Sequence, residues 1–212
     1  MIPDPYRDSL LETLSSLEKS QEVLSAPGVL DPSREDFPLT TGILQRLRAY
    51  YCLQHEIKRV YEKRVGNDGA DFFTETVASF IKAALAQRKD LKVLSEEKLT
   101  KQRGKLRPDI SIWLGDIPIA AVECKTQMGW SRSRWERSFL SRDSSLREDF
   151  PDLKVYHVVM TGMNWPGLPP GHPNTGKKWF TLSKGWPGPG YPENPSLEIL
   201  NPIEPLVLEI LK

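Results

Sequence analysis

Two acids and a lysine near the middle of the chain have the types and spacing of a divalent-cation site. Asp109 follows Pro108 at the start of an apolar run, and Glu123 lies near the end of the next such run, two residues before Lys125. Magnesium prefers oxygen ligands and binds one or two carboxylates together with water and substrate phosphate. A cation held there would polarise a phosphoryl oxygen and acidify a bound water. The lysine could position or deprotonate that water and stabilise the developing negative charge.

This chemistry requires the polar side chains to share one face of a sheet. Successive strand residues point to opposite faces, so Glu123, Lys125 and Gln127 project to one side of their strand. Asp109 joins them only if the two runs form a hairpin of the right register.

The register depends on the length of the turn between the two runs. A two-residue turn at residues 115–116 would pair Asp109 with Val122 and separate the carboxylates. A loop of three or five residues pairs Asp109 with Glu123 and Ile110 with Val122, which keeps the β-branched residues on one core face. We expect the longer loop and the second register, with the opposed side chains about 5 Å apart at Cβ.

Hydrophobic periodicity predicts the elements that position this hairpin. Helices are expected over residues 6–25, 41–65, 70–88 and 130–147, and strands over 92–99, 107–114, 118–127 and 154–161. The core therefore has the order helix, three strands, helix, strand, in a mixed α/β layer architecture. The apolar tail from 197 to 212, interrupted by prolines, fits a strand or a short helix.

Composition limits the class of protein. No stretch approaches the roughly 20 apolar residues of a membrane span, and the acidic N-terminal segment lacks the features of an export signal, which predicts a cytoplasmic protein that contacts no membrane. The two cysteines are read as buried hydrophobic residues. Residues 1–37 hold eight acids and three bases, so the remainder carries about +6 although the whole chain carries only +1. This basic remainder is the expected place for a polyanion. A merely solvated charged face is the alternative.

The region from 162 to 195 has eight prolines and seven glycines, interleaved with tryptophans and the pair Lys177 and Lys178. Its aromatic content argues for ordered loop. It either forms a loop that reads base edges or packs its tryptophans against the core, and packing also accounts for His157 and His172.

The motif Pro108-Asp109 followed by Glu123-Cys124-Lys125, in a hairpin flanked by helices, resembles the PD-(D/E)xK, or restriction-endonuclease-like, nuclease superfamily. The resemblance covers about residues 70–161, between an N-terminal helical region (1–69) and a Pro/Gly/Trp-rich extension (162–212) of one nuclease domain. It implies magnesium-dependent hydrolysis of DNA, with Asp109 and Glu123 as metal ligands and Lys125 as catalytic lysine.

The resemblance also implies supporting roles for other residues. Gln127 matches a polar residue often found two places after the lysine, and the Cys124 backbone carbonyl is a further metal ligand. Glu75 on the first core helix matches an additional acid of several such nucleases. A solvent-exposed glutamate is the favoured interpretation of Glu75, and Glu96 or Glu97 could serve instead.

Basic side chains after the core strands are candidate contacts for double-stranded DNA, since phosphate neutralisation dominates DNA affinity. The alternative is a soluble helix face. The candidates are Arg132, Arg134, Arg137, Lys177 and Lys178. The favoured role is a type II restriction endonuclease acting as a homodimer on a palindrome, with a cognate methyltransferase for the same site. A DNA-repair or junction-resolving nuclease, or a DNA-binding protein without catalysis, are the alternatives.

Overall fold

A five-stranded mixed sheet with helices packed on both faces forms the described part of the chain. The computed structural model describes residues 30–34, 38–62, 69–99, 106–128, 134–163, 168, 171–188 and 198–212, together with 11, 12, 15, 19 and 22. The main elements are α1 (Leu39–Tyr61), α2 (Gly69–Ala84), β1 (Leu91–Ser95), β2 (Ile110–Leu114), β3 (Ile117–Lys125), α3 (Trp135–Arg147), β4 (Lys154–Thr161), β5 (Trp179–Ser183) and α4 (Glu204–Ile210).

The strands lie in sequence order across the sheet. β1, β2 and β3 are antiparallel neighbours, whereas β3, β4 and β5 are parallel. Parallel neighbours need a crossover connection, which α3 provides between β3 and β4. The predicted mixed α/β architecture and its order of helix, three strands, helix and strand are confirmed, with β5 as an additional strand.

The register of the β2–β3 hairpin agrees with the prediction, but the predicted loop of three or five residues was wrong. Leu114 pairs with Ile117, so the turn has two residues, of which Gly115 takes the positive φ of 60° that such a turn demands. The register then shifts by one residue beyond Trp113. This β-bulge restores the pairing of Ile110 with Val122 that the apolar pattern required.

The first face of the sheet packs against α1, α2 and α4 in the main hydrophobic core. It contributes the side chains of Ile110, Val122 and Cys124, among others. Gly42 of α1 lets Phe80 of α2 approach closely, because a Cβ there would collide with the ring.

A cap joins α1 to the C-terminal helix. The N-cap residue of α1, Pro38, makes no side-chain capping hydrogen bond. The backbone N–H of Thr40, in the first turn, donates instead to the Glu204 carboxylate at 2.8 Å. In return the Thr40 hydroxyl accepts the backbone N–H of Ile203 at 2.9 Å. These bonds satisfy one backbone donor at the start of α1 and one at the start of α4, which their own helices leave without a partner.

The second face of the sheet packs against α3. The buried residues of this helix are Trp135, Phe139 and Leu146, as the periodicity predicted. They contact apolar residues of β3, β4 and β5 in two smaller clusters. Glu123, Lys125 and His157 alternate with apolar residues on these strands, so they belong to the α3 side.

Several boundaries differ from the predicted ones. The first strand ends at Ser95 rather than residue 99, because Glu96 takes a positive φ of 51°. Helix α1 ends at Tyr61, where Glu62 also adopts a left-handed conformation. The tail forms a short helix with Pro205 in its first turn, where proline is tolerated.

Some predictions lie partly or wholly outside the described residues. The described positions of the predicted 6–25 helix are helical, and the rest of it lies outside. Arg132 and the start of the helix predicted from 130 also lie outside. Among the described residues, no helix is long and apolar enough to cross a membrane.

Candidate active site

Asp109 lies at the entrance to β2, directly across the hairpin from Glu123. The pairing of Ile110 with Val122 sets this position. Oδ2 of Asp109 accepts a hydrogen bond from the backbone N–H of Cys124, 2.7 Å away. The bond fixes the half-buried carboxylate against the end of β3, next to the glutamate.

Pro108 precedes Asp109 at the end of the hairpin and affects the backbone hydrogen bonding there. Extending the register by two residues places Pro108 opposite Cys124, and proline has no N–H to give to a neighbouring strand. The N–H and C=O of a strand residue face the same neighbour in an antiparallel pair. The Cys124 carbonyl therefore faces the same side of the strand as its N–H, which donates to Asp109, and Pro108 has no N–H to offer this carbonyl.

The Cys124 thiol takes no part in this site. Its side chain is buried in the main core, on the opposite face from Glu123. Burial raises the pKa of the thiol well above its usual value, the charges of Asp109 and Glu123 raise it further, and a hydrogen bond with Thr74 only partly offsets this. The sulfur remains a neutral thiol at physiological pH and is neither a nucleophile nor a thiolate ligand.

Glu123 is a buried carboxylate whose negative charge is incompletely compensated. It is 7% exposed, and its Oε1 lies 3.0 Å from Nη2 of Arg142 on α3. Oε1 receives no hydrogen bond of good geometry from the described residues. Burial raises the pKa of the carboxyl, Arg142 opposes that rise, and the nearby charge of Asp109 adds to it. Two close carboxylates that share Arg142 as counter-charge, with a smaller contribution from His157, favour an additional cation.

Lys125 lies two residues beyond Glu123 on the same face, at the last position of β3. Its side chain is exposed and forms no ion pair with a described residue. Gln127 follows outside the strand and is half-buried. The ammonium group is therefore accessible to an anion that approaches the two carboxylates.

The carboxylates and the backbone oxygen are a suitable donor set for magnesium. Among the described residues, no three side chains of His, Cys, Asp or Glu are grouped as a metal cluster. Glu75 accordingly does not join Asp109 and Glu123; it is exposed on α2, and its charge acts on Arg46 of α1. Magnesium needs only one or two carboxylates when water and phosphate supply the rest, so the pair is sufficient.

The two alternative acids, Glu96 and Glu97, are both exposed just after β1. Glu96 is tied to the site through its backbone, because its N–H donates to the carbonyl of Asp109 at 3.1 Å. Glu96 is thus linked to Asp109 by a backbone hydrogen bond, but its carboxylate is not grouped with those of Asp109 and Glu123 in the described structure.

Two consecutive residues of α3 complete the buried polar layer, and sequence reasoning missed both. Arg142 contacts Glu123, while Asp143 bonds the ring of His157, with Oδ1 2.6 Å from Nε2. Glu123 and His157 are neighbours in the β3–β4 register, and Phe139 stacks on the histidine ring at 4.0 Å. Arg142 and Asp143 lie three and four residues after Phe139, on the face of α3 that points to the sheet. This spacing was the signal that the sequence offered.

The described candidates for DNA contact all belong to the α3 and β5 side of the sheet. Arg134 and Arg137 are exposed at the start of α3. Lys177 is exposed just before β5, and Lys178 lines a surface groove with Arg147 near the end of α3. This side carries Lys125 as well.

The tryptophans of the C-terminal extension that are described pack against the core. Trp179 is fully buried and makes an edge contact with Trp135, with ring centroids 5.4 Å apart. Trp186 packs on Tyr51. His172 stacks on Trp179 at 4.7 Å, and Trp165 lies outside the described residues. The packing interpretation is confirmed for these side chains.

Compared with protein-family models, with curated proteins and with solved structures, the chain matches none.

Proposed function

We propose that this protein is a magnesium-dependent nuclease of the PD-(D/E)xK type that hydrolyses DNA phosphodiester bonds. One observation carries the proposal. The hairpin register and the hydrogen bond from Cys124 to Asp109 bring the Asp109 carboxylate beside Glu123. The exposed Lys125 follows Glu123 by two residues on the same strand. The order of α2, β1, β2, β3, α3 and β4 supports a restriction-endonuclease-like core.

Each residue has a role that its position allows. Asp109, Glu123 and the Cys124 carbonyl would hold the cation, which supplies Lewis-acid activation of water and phosphate when bound. Lys125 is exposed beside them, so its ammonium group can position or deprotonate the attacking water and stabilise negative charge on the phosphoryl group. Gln127, beyond the strand end, can hydrogen-bond the same water or phosphate.

The favoured biological role is a type II restriction endonuclease. Double-stranded DNA would approach the face bearing Lys125, where Arg134, Arg137 and Lys178 can neutralise phosphates. A homodimer would cut both strands of a palindrome, and a methyltransferase specific for the same site would protect the host DNA. Both the dimer and the methyltransferase follow from this role.

A cleavage assay on plasmid DNA tests the proposal. Purified protein with magnesium should convert unmodified supercoiled plasmid to linear or fragmented DNA, and EDTA should prevent this. Lys125→Ala should be inactive, whereas Lys92→Ala, which removes an exposed lysine from β1, should cut normally. Discrete bands support restriction, and nicking or a preference for branched DNA supports a repair or junction-resolving nuclease. Wild-type protein that leaves every DNA substrate intact contradicts the nuclease proposal.

The ion pair between Glu123 and Arg142 favours a second candidate function, a DNA-binding protein without catalysis. It gives the buried carboxylate a counter-charge from within the chain, so a cation is not its only source of positive charge. Binding of DNA that is independent of magnesium and unaffected by Glu123→Gln, without cleavage, is the result this candidate predicts.

A further inference from the structure

Arg142 is placed between the two halves of the candidate site. A single nitrogen, Nη2, lies 3.0 Å from Oε1 of Glu123 and 2.6 Å from the backbone carbonyl of Arg107, which it donates to. Arg107 comes two residues before Asp109. The guanidinium group therefore joins the strand that carries one carboxylate to the segment that leads into the other.

The two side chains of the contact between Arg142 and Glu123 differ in exposure to solvent. The side chain of Arg142 is 29% exposed, whereas that of Glu123 is 8% exposed. The arginine is therefore the partner with room to move toward solvent. The remaining guanidinium nitrogens, Nε and Nη1, have no partner among the described residues, so the group retains donors for a further anion.

We propose that Arg142 is a positioning residue that serves as the resident counter-ion of Glu123, competes with the divalent cation for it, and turns to the substrate phosphate once the cation binds. The inference rests on the proposed nuclease function. A cation and a guanidinium group that bind the same buried carboxylate repel each other, because both are positively charged and lie close together. Each therefore weakens the binding of the other. Guanidinium groups match phosphate geometry well, so the released side chain has a ready partner.

The proposal is tested by cation affinity rather than by activity. Mn²⁺ is titrated into DNA-free protein at pH 8, and free Mn²⁺ is followed by its electron paramagnetic resonance signal. Arg142→Gln should bind Mn²⁺ roughly tenfold more tightly than wild type, the scale of a partly exposed charge pair. Arg142→Lys, which keeps a positive charge, should stay near wild type.

A matched control separates local competition from general charge. Arg137→Gln removes the same charge from the exposed side of the same helix and should leave Mn²⁺ affinity unchanged within about twofold. Equal or weaker binding by Arg142→Gln overturns the inference while leaving the nuclease proposal intact. Wild-type protein that binds no Mn²⁺, or binding that Glu123→Gln does not weaken, overturns both.

A second measurement on wild-type protein covers the case in which Arg142→Gln does not fold. The arginine Nε–Hε signals are recorded by ¹⁵N NMR during a Mg²⁺ titration, and Arg142 is identified by the signal missing in Arg142→Lys. Its signal should move as Mg²⁺ saturates the site, while that of Arg137 stays fixed. An Arg142 signal that does not respond to bound Mg²⁺ contradicts the competition.

Discussion

Asp109 has two separable roles, a structural one toward Cys124 and a chemical one toward a cation. Its carboxylate accepts the backbone N–H of Cys124 at 2.7 Å, a charge-assisted hydrogen bond. Substitution by alanine removes this acceptor. We expect Asp109→Ala to lower the free energy of unfolding by about 2 kcal/mol, equivalent to a fall in Tm of about 4–8 °C for a chain of this size.

Asparagine at the same position separates the two roles. Its side-chain oxygen can still accept the Cys124 N–H, but without the charge, so Asp109→Asn should cost about 1 kcal/mol or less. Both variants lose the anionic oxygen that a cation requires, and both should lose cleavage. Asp116→Ala, an exposed acid in the turn of the same hairpin, should retain wild-type stability and activity.

The assays are urea unfolding followed by tryptophan fluorescence and plasmid cleavage with magnesium. The expected pattern is graded stability with an equal loss of activity in the two Asp109 variants. Alanine as stable as wild type would show that the hydrogen bond contributes nothing. Asparagine with full activity would show that Asp109 does not bind a required cation, and either result refutes the reasoning.

Lys125→Ala should abolish cleavage while changing the free energy of unfolding by less than about 0.5 kcal/mol, since the side chain is exposed; cleavage and urea unfolding measured together check this. The pKa of Glu123 is raised by burial above its ordinary 4.5, so the cation-free folded protein keeps a proton that the unfolded chain releases. Stability should therefore fall as pH rises from 4.5 through the raised pKa, and Glu123→Gln should lack this component in unfolding measured across pH. Asp143→Ala leaves the ring of His157 buried without its partner and should destabilise the protein by about 2 kcal/mol in thermal unfolding, whereas Asp143→Asn should recover part of that loss.

The apolar pattern was sufficient to predict the hairpin register but not the way it is achieved. Ile110 and Val122 must share the core face, and that requirement holds whatever the turn length. A tight turn alone would have broken it, and a bulge beyond Trp113 restores it. Bulges have no strong sequence signal here, because the extra residue, Ile119, is as apolar as its neighbours.

Strand β5 was missed because its surroundings are typical of loops. The segment of residues 179–183 lies between prolines and glycines on both sides, which predicted irregular structure. Its five residues are all buried, and pairing with β4 supplies the backbone hydrogen bonds that a buried segment requires. Tertiary packing, which no local pattern records, decides its conformation.

The contribution of α3 to the site was hidden for a different reason. Five arginines between residues 132 and 147 suggest one basic outer face, yet Arg142 points inward to Glu123. The partner of Arg142 lies on β3, a different element. Helical spacing can therefore show that Arg142 is on the inward face of α3, but it cannot show that Arg142 contacts Glu123. His157 was correctly predicted to be buried. Its hydrogen bond to Asp143 could not be predicted, because it depends on the position of His157 beside Glu123 in the sheet, under α3.

The proposed divalent cation site lies where β2 begins and β3 ends. Crystals soaked in Mn²⁺ and measured at the manganese absorption edge locate such an ion directly. We expect an anomalous peak within ligand distance of the carboxylates of Asp109 and Glu123, with the Cys124 carbonyl also coordinated. A fully loaded crystal with no peak there, or with manganese only at unrelated surface acids, would contradict it.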